Sequence, residues 1–514
     1  MGKNTRTKNV IRNILVGEFA QIITLILNFF NRTVFIKLLN AEYLGINGLF
    51  SNILTVLSFA ELGIGSIIGF NLYKPLAEKD TVSIKKYMLF YKKAYNLIAL
   101  SVLVLGILLI PFLPYTINQA PNIDENLVIL YLLFLANTVI SYFNVYKKSL
   151  LAADQKEYIV IVFHRIINCF QLLMQCIFLF LTHNYIIYLL IQIFCTFIDN
   201  LIISLLANKM YPYLKEHKIN IKIDKSDIKT FFINIKAVAI KKFGAIILDG
   251  TDNIIISSIL NLSIVGVYSN YTMIINAVGL ITSQITNALT ASVGNLNAVE
   301  TQNKKESVFN EIFLLSAFIF GFCTLEIFFL INPFIKIWIG ENYLLSQASV
   351  MVILLNLYLT NMSHATYSFR YTSGLFRDYQ YTPFVASIIN IILSILLGKK
   401  LGIFGVIIAT SISRLLTYFW VDPLVVYKKV FNKNVREYFL NFFIYFSVTV
   451  IIGLIIKLLL IILPEIINIW MLFFYAILIG IIILIGFYLF FCRIKVGQRL
   501  LKRFYKIYLG IFNK

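Results

Sequence analysis

The sequence predicts an all-α polytopic membrane protein with about 14 transmembrane helices. Two six-helix lobes related by a parallel repeat are expected, followed by two C-terminal helices. Three observations carry this reading. Of 514 residues, 59% are hydrophobic and only 13% are charged, against about 45–50% and about 25% in a soluble domain. The apolar residues gather into runs of membrane-spanning length, with no long polar linker of the kind that joins separate soluble cores. An offset of 221 residues lays the start of the chain on its middle. The composition excludes a soluble enzyme, a disordered chain and a secreted disulfide scaffold.

In chain order the expected spans are 13–37, 44–72, 94–113, 126–146, 158–182, 185–207, 234–260, 264–293, 307–332, 347–369, 381–398, 402–427, 438–463 and 467–492. The first follows a basic N-terminus, but Glu18 interrupts its apolar run and no cleavage site follows, so it reads as a retained helix. Glycines punctuate the second span (Gly63, Gly65, Gly69) and the twelfth (Gly402, Gly405). Pro75, Pro333, Pro383 and Pro423 stand near span ends, where a broken helix costs little. The longest polar connection, 208–233, divides an N-terminal lobe, 1–207, from a C-terminal lobe, 234–427. Its alternating piece Ile219-Asn220-Ile221-Lys222-Ile223 is expected to lie along the membrane surface. Residues 428–514 hold the last two helices and a basic tail.

Charge position gives the orientation. The formal net charge is +21, from 45 Lys and Arg against 24 Asp and Glu. Most cations fall at the N-terminus, in alternate loops (where Arg370 is counted) and in the tail. Only Lys37, Lys336, Lys399 and Lys400 fall in the opposite loops. The positive-inside rule then places both termini and the basic loops in the cytoplasm. The basicity reflects topology and contact with anionic lipid headgroups, not nucleic acid.

The repeat is read from one gapless offset. It lays Leu39-Asn40 on Leu260-Asn261, Gly45 on Gly266, Asn28 on Asp249, Asn31 on Asp252 and Phe50 on Tyr271. Because it spans an even number of helices, both copies have the same orientation, a transporter symmetry about the membrane normal.

An ionisable group at mid-membrane costs at least about 2.5–3.5 kcal/mol on insertion scales, so each needs a partner, a cavity or a route to the interface. The first span carries Glu18, Gln21, Asn28 and Arg32, whose spacing shares one helical face. The seventh carries Lys242, Asp249, Asp252 and Asn253 at equivalent spacing, with Lys241 beside them. Two such stripes fit either a water-filled cleft or interhelical hydrogen bonds within each lobe. Arg414, halfway along the twelfth span, is the leading substrate-binding cation, joined by Arg32, Asn28, Gln21, Lys241, Lys242, Arg165 and Asn253. Asp249 and Asp252, one turn apart, are ion-coupling candidates, because paired carboxylates raise each other's pKa. Glu18 and Glu61 complete that set. Lys457 reads as a snorkelling lysine. Asp199 and Glu326 have no argued partner.

The five cysteines form no CxxC pair and read as small core residues; the four histidines show no metal-ligand spacing. Walker A, GxSxG and clustered metal ligands are absent from the sequence.

The stretch Glu42-Tyr43-Leu44-Gly45-Ile46-Asn47-Gly48-Leu49-Phe50-Ser51-Asn52-Ile53-Leu54, with Phe59-Ala60-Glu61-Leu62-Gly63-Ile64-Gly65, resembles polysaccharide-export flippases of Gram-positive bacteria. These belong to the multidrug/oligosaccharidyl-lipid/polysaccharide exporter superfamily. Thr251-Asp252-Asn253-Ile254-Ile255-Ile256-Ser257, Val265-Gly266-Val267-Tyr268 and Gly402-Ile403-Phe404-Gly405-Val406 are similar to later signatures of that family. The resemblance implies a two-lobed, fourteen-helix protein of the bacterial plasma membrane. It implies that an undecaprenyl-diphosphate-linked oligosaccharide moves from the cytoplasmic to the external leaflet by alternating access. Membrane lipids, a polysaccharide polymerase and glycosyltransferases are the partners expected, with no cofactor beyond a proton or sodium gradient. The alternatives are an ion-coupled multidrug or metabolite exporter of the same fold and a membrane glycan polymerase. The polymerase is disfavoured because the longest external connections, 114–125 and 333–346, are short.

Overall fold

The computed structural model describes residues 3–58, 64–215, 244, 246–248, 250–375 and 377–512. Its described residues form helices, turns and connections, with no strand among them. Twelve helical segments among them are long and apolar enough to cross a membrane. The other two expected spans, 44–72 and 234–260, include residues outside the description, as do Glu61, Lys241, Lys242, Asp249, the side chain of Glu18 and the segment 219–223. The chain divides into two compact units, 1–266 and 267–514.

The first unit begins with α1 (Lys3–Leu38) and α2 (Ala41–Leu57). Asn40 separates them. Its side chain accepts from the backbone N–H groups of Glu42 and Tyr43, capping the donors that a helix start leaves open. There follow α3 (Ile64–Glu78), α4 (Thr81–Leu109), α5 (Leu127–Ser141) and α6 (Val145–Ala153). The polar loop expected between 72 and 94 is mostly helix instead. Asp80 caps α4, accepting from Val82 and Ser83 at 3.1 and 3.0 Å, so the helix starts well before the apolar run. The α5–α6 break is local: Asn144 takes the left-handed conformation at φ 64°, which asparagine tolerates. Then come α7 (Glu157–Thr182), α8 (Tyr185–Met210) and α9 (Asp252–Ile259).

α1 packs on α7, and α7 on α8. Polar residues of α1 flanking the stripe supply part of that seam. Thr24 Oγ1 lies 3.7 Å from Cys169 Sγ. Buried Asn31 donates to the Leu172 carbonyl at 3.2 Å and accepts from the Tyr188 hydroxyl at 2.9 Å. In an apolar medium such bonds hold helices where the hydrophobic effect does not.

The unit boundary falls within α10 (Leu262–Val299), which Asn261 caps by accepting from Ile264 N–H at 2.9 Å. The second unit continues through α11 (Gln302–Ile339), α12 (Gln347–Met362), α13 (His364–Thr372), α14 (Thr382–Leu401), α15 (Ile403–Leu416) and α16 (Tyr418–Val426). It closes with α17 (Arg436–Ile462), α18 (Ile469–Arg493) and α19 (Lys495–Phe512). An aromatic core of Phe309, Phe313, Phe369, Tyr427, Phe431 and Tyr438 joins α11 to α13 and to the start of α17. Glycine notches seat the last helices on α11: a methyl on Gly321 would meet Phe487 and Thr449, and one on Gly480 would meet the Glu326 carboxylate. Basic α19 docks through Arg503 to Glu311 at 2.6 Å and Arg499 to Ser307 at 2.7 Å.

Two expectations are corrected here. Arg370 is not a loop cation but lies in α13, fully buried. Among the cysteines, Cys176 and Cys195 are buried, Cys169 and Cys323 are half-buried, and Cys492 at the end of α18 is exposed.

Candidate functional site

Each unit contains an ion pair built from the same two places in its helix order. In the first unit, Lys148 on α6 reaches Asp199 on α8 at 2.8 Å, and His164 Nδ1 on α7 lies 3.3 Å from the same oxygen. In the second, Arg370 Nε on α13 pairs with Asp422 Oδ1 on α16 at 3.0 Å. α6 and α13 are both the second piece of a broken helix. Arg370 stands 222 residues after Lys148, and Asp422 stands 223 after Asp199.

The second pair is the drier one: the side chains of Arg370 and Asp422 are 1% and 4% exposed, against 25% and 8% for Lys148 and Asp199. Two dehydrated charges are tolerable only with close pairing and further contacts. Arg370 obtains those from π-faces, its guanidinium lying 3.6 Å from the Tyr379 ring centroid and 5.6 Å from that of Tyr367. A desolvated cation over such a face gains about 2 kcal/mol or more.

Beside this pair lies a cavity of about 280 Å³. Arg414, His364, Asn361, Tyr418 and Asp422 line it, with Tyr367 and Tyr379. Arg414 sits in the last turn of α15, just before the chain breaks at Thr417, and its guanidinium lies 5.9 Å from the Tyr418 ring centroid. Behind His364 a polar file runs between α13 and α10: Thr290 to His364 at 3.4 Å, Thr290 to Ser368 at 2.8 Å, and Asn297 to Thr372 at 2.7 Å. In the first unit, Arg165 Nη2 donates to Gln21 Oε1 at 2.6 Å.

No family model and no curated protein matches the sequence. Solved structures are similar in fold. The lipid II flippase MurJ in an inward closed conformation superposes with a TM-score of 0.64 at 18% identity, over 93% of this chain and 99% of that one. An inward-facing multidrug resistance MATE family transporter of the MOP superfamily gives 0.61 at 13%, over 77% and 93%. A point mutant of the Vibrio cholerae MATE transporter VcmN gives 0.57 at 12%, over 84% and 99%.

The chain has the MurJ and MATE fold.

On that fold the predicted site residues fall in several places. Gln21 and Arg165 meet directly. Arg32 is half-buried beside Tyr188 and Tyr185, and Asn28 is exposed. Asn253 donates to the Gly48 carbonyl at 3.5 Å, against α2, and Asp252 opens α9 in its first turn, where a carboxylate suits the helix dipole. Arg414 lines the cavity of the second unit. Among the described residues no group of three or more His, Cys, Asp or Glu is arranged to hold a metal. Sequence reasoning does not single out Lys148, Arg370 or Asp422, and it gives Asp199 no partner. A signal for them existed, since the near-constant offset pairs Lys148 with Arg370 and Asp199 with Asp422 once short insertions are allowed.

Proposed function

We propose that the protein is a membrane transporter of the flippase type. It moves an undecaprenyl-diphosphate-linked oligosaccharide from the cytoplasmic to the external leaflet, supplying capsule, exopolysaccharide or cell-wall polysaccharide assembly, and it catalyses no covalent step. The observation that carries the choice over a cationic-drug exporter is the Arg370–Asp422 pair. Among the described residues, Asp422 is the one carboxylate in the lining of the Arg414 cavity, and Arg370 already neutralises it. A cationic compound finds no uncompensated negative charge there, whereas hydroxyls and phosphates meet the guanidinium of Arg414.

The physical task is consistent with such a lining. Glycan and diphosphate cannot cross hydrocarbon unaided, because their polar groups would lose every hydrogen bond. Arg414 is assigned to the diphosphate, with Arg32, Asn28, Gln21, Lys241, Lys242, Arg165 and Asn253 as further polar contacts along the path. Asp249, Asp252, Glu18 and Glu61 are assigned to coupling with a proton or sodium gradient. The two lobes alternate access, the polyprenyl tail stays in lipid, and both termini face the cytoplasm of a bacterial cell. Glycosyltransferases supply the substrate and a polymerase consumes it.

The test is direct. Purified protein reconstituted in vesicles should expose a fluorescent undecaprenyl-diphosphate oligosaccharide to an external quencher faster than protein-free vesicles do. Equal rates, with export of a cationic dye instead, would transfer the assignment to the drug-exporter reading.

A further inference from the structure

A fully buried arginine organises one wall of the Arg414 cavity. Arg370 holds Asp422 by charge at 3.0 Å, and Tyr379 and Tyr367 by their ring faces; all three line the cavity. Two consequences follow for any occupant. The rings are held in place by a group that is itself packed, which is what pre-organised recognition requires. Asp422 remains a hydrogen-bond acceptor while its charge is compensated, so it favours a hydroxyl over a cation.

The other walls add matching chemistry. Tyr418 stands beside Tyr379, their ring centroids 5.8 Å apart, extending the aromatic surface. Asn361 spends an amide N–H on the Leu357 carbonyl at 2.8 Å, which leaves its Oδ1 to accept from a ligand. The volume of about 280 Å³ lies just below the range of about 300–1,000 Å³ usual for drug-sized ligands. It suits one six-membered ring with its substituents.

A pyranose carries C–H bonds on its ring faces and hydroxyls around its rim. The C–H face is apolar enough to lie on an aromatic ring, and each buried hydroxyl needs a donor or acceptor. From this match we infer that the cavity is a carbohydrate subsite for one pyranose ring, stacked on the tyrosines with its hydroxyls directed to Asn361 and Asp422, next to the Arg414 assigned to the diphosphate. The inference rests on the flippase reading for the source of the sugar, a residue of the lipid-linked glycan. Binding itself does not depend on transport.

The experiment uses the full chain in lipid nanodiscs, titrated with methyl pyranosides of a neutral hexose, an N-acetylhexosamine and a hexuronate. At least one should bind saturably. Tyr418→Ala and Asn361→Leu should each weaken it about tenfold or more, Tyr418→Phe should keep most of the affinity, and tetraphenylphosphonium should not displace it. Should Tyr418→Ala fail to insert, Asn361→Leu decides alone. Absence of saturable binding, binding indifferent to these substitutions, or displacement by tetraphenylphosphonium would each overturn the subsite. Vesicle flipping measured on the same preparations separates the two claims. Flipping without pyranoside binding removes the subsite and keeps the transporter; binding without flipping does the reverse.

Discussion

Gly45 and Gly266 stand in reciprocal contact. A methyl on Gly45 would strike the carbonyl of Leu262, and one on Gly266 would strike the carbonyl of Ala41, each four residues before the opposite glycine. Asn40 and Asn261 cap the helices on which they lie. All three correspondences keep the 221-residue offset, so the repeat is written in a backbone crossing as well as in hydropathy. Such crossings bring backbones closer than any side chain permits.

Gly45→Ala and Gly266→Ala should therefore each destabilise the protein by about 1–3 kcal/mol through overpacking. Gly279→Ala, whose methyl would meet nothing within 4 Å, should change little. Melting curves in detergent compare the three, and equal curves would show that the close crossing does not limit stability.

The two ion pairs should differ in cost. Asp422→Asn strands Arg370 without water and should destabilise by about 3–5 kcal/mol, while removing both charges with Arg370→Met and Asp422→Leu should recover most of that. Asp199→Asn should cost less, since Lys148 is 25% exposed and can reach solvent. Membrane abundance and aggregation temperature of these variants provide the ranking.

Asp80 gives a pH dependence with a definite sign. Hydrogen bonds from the Ser83 side chain and backbone, and from Val82 N–H, hold its carboxyl below the ordinary carboxylate range. Its contribution is complete above the unfolded pKa and fades as pH falls through the lowered folded value. Hydrogen-exchange protection in the first turn of α4 should drop with acid in the native chain. In Asp80→Asn, which keeps an acceptor without a titrating group, it should not.

Arg414→Ala should abolish most flipping at normal membrane abundance, and Arg414→Lys should lose less, keeping charge without the bidentate fork. Loss of abundance in step with loss of flipping would mark Arg414 as a structural cation instead.

Orientation is accessible by labelling. Gln119 and Lys304 are exposed, and cysteines placed there should react from outside and inside intact cells respectively. Reaction at Lys304 from outside and at Gln119 from inside would reverse the proposed orientation, and reaction of both from the outside would overturn the order of spans between them.

Much of the architecture was legible because it is local or periodic. Long apolar runs must be helical in lipid, where each backbone group has to find its partner within the segment. Asn40, Gly45 and their copies Asn261 and Gly266 act through their own chemistry, a short acceptor and a missing side chain, so the offset survived as residue identity. The polar stripe on α1 was equally visible as one face of a helix. What that face meets was not, and only the fold showed Gln21 against Arg165, with Asn31, outside the stripe, between Leu172 and Tyr188. The cavity was still less accessible. Arg370 lies at the end of an apolar run, where averaged hydropathy assigns it to a loop. Its partner lies on α16, beyond two intervening helices. Whether a charge is a solvated loop residue or the buried support of a binding wall depends on which helices become neighbours, and tertiary packing decides that.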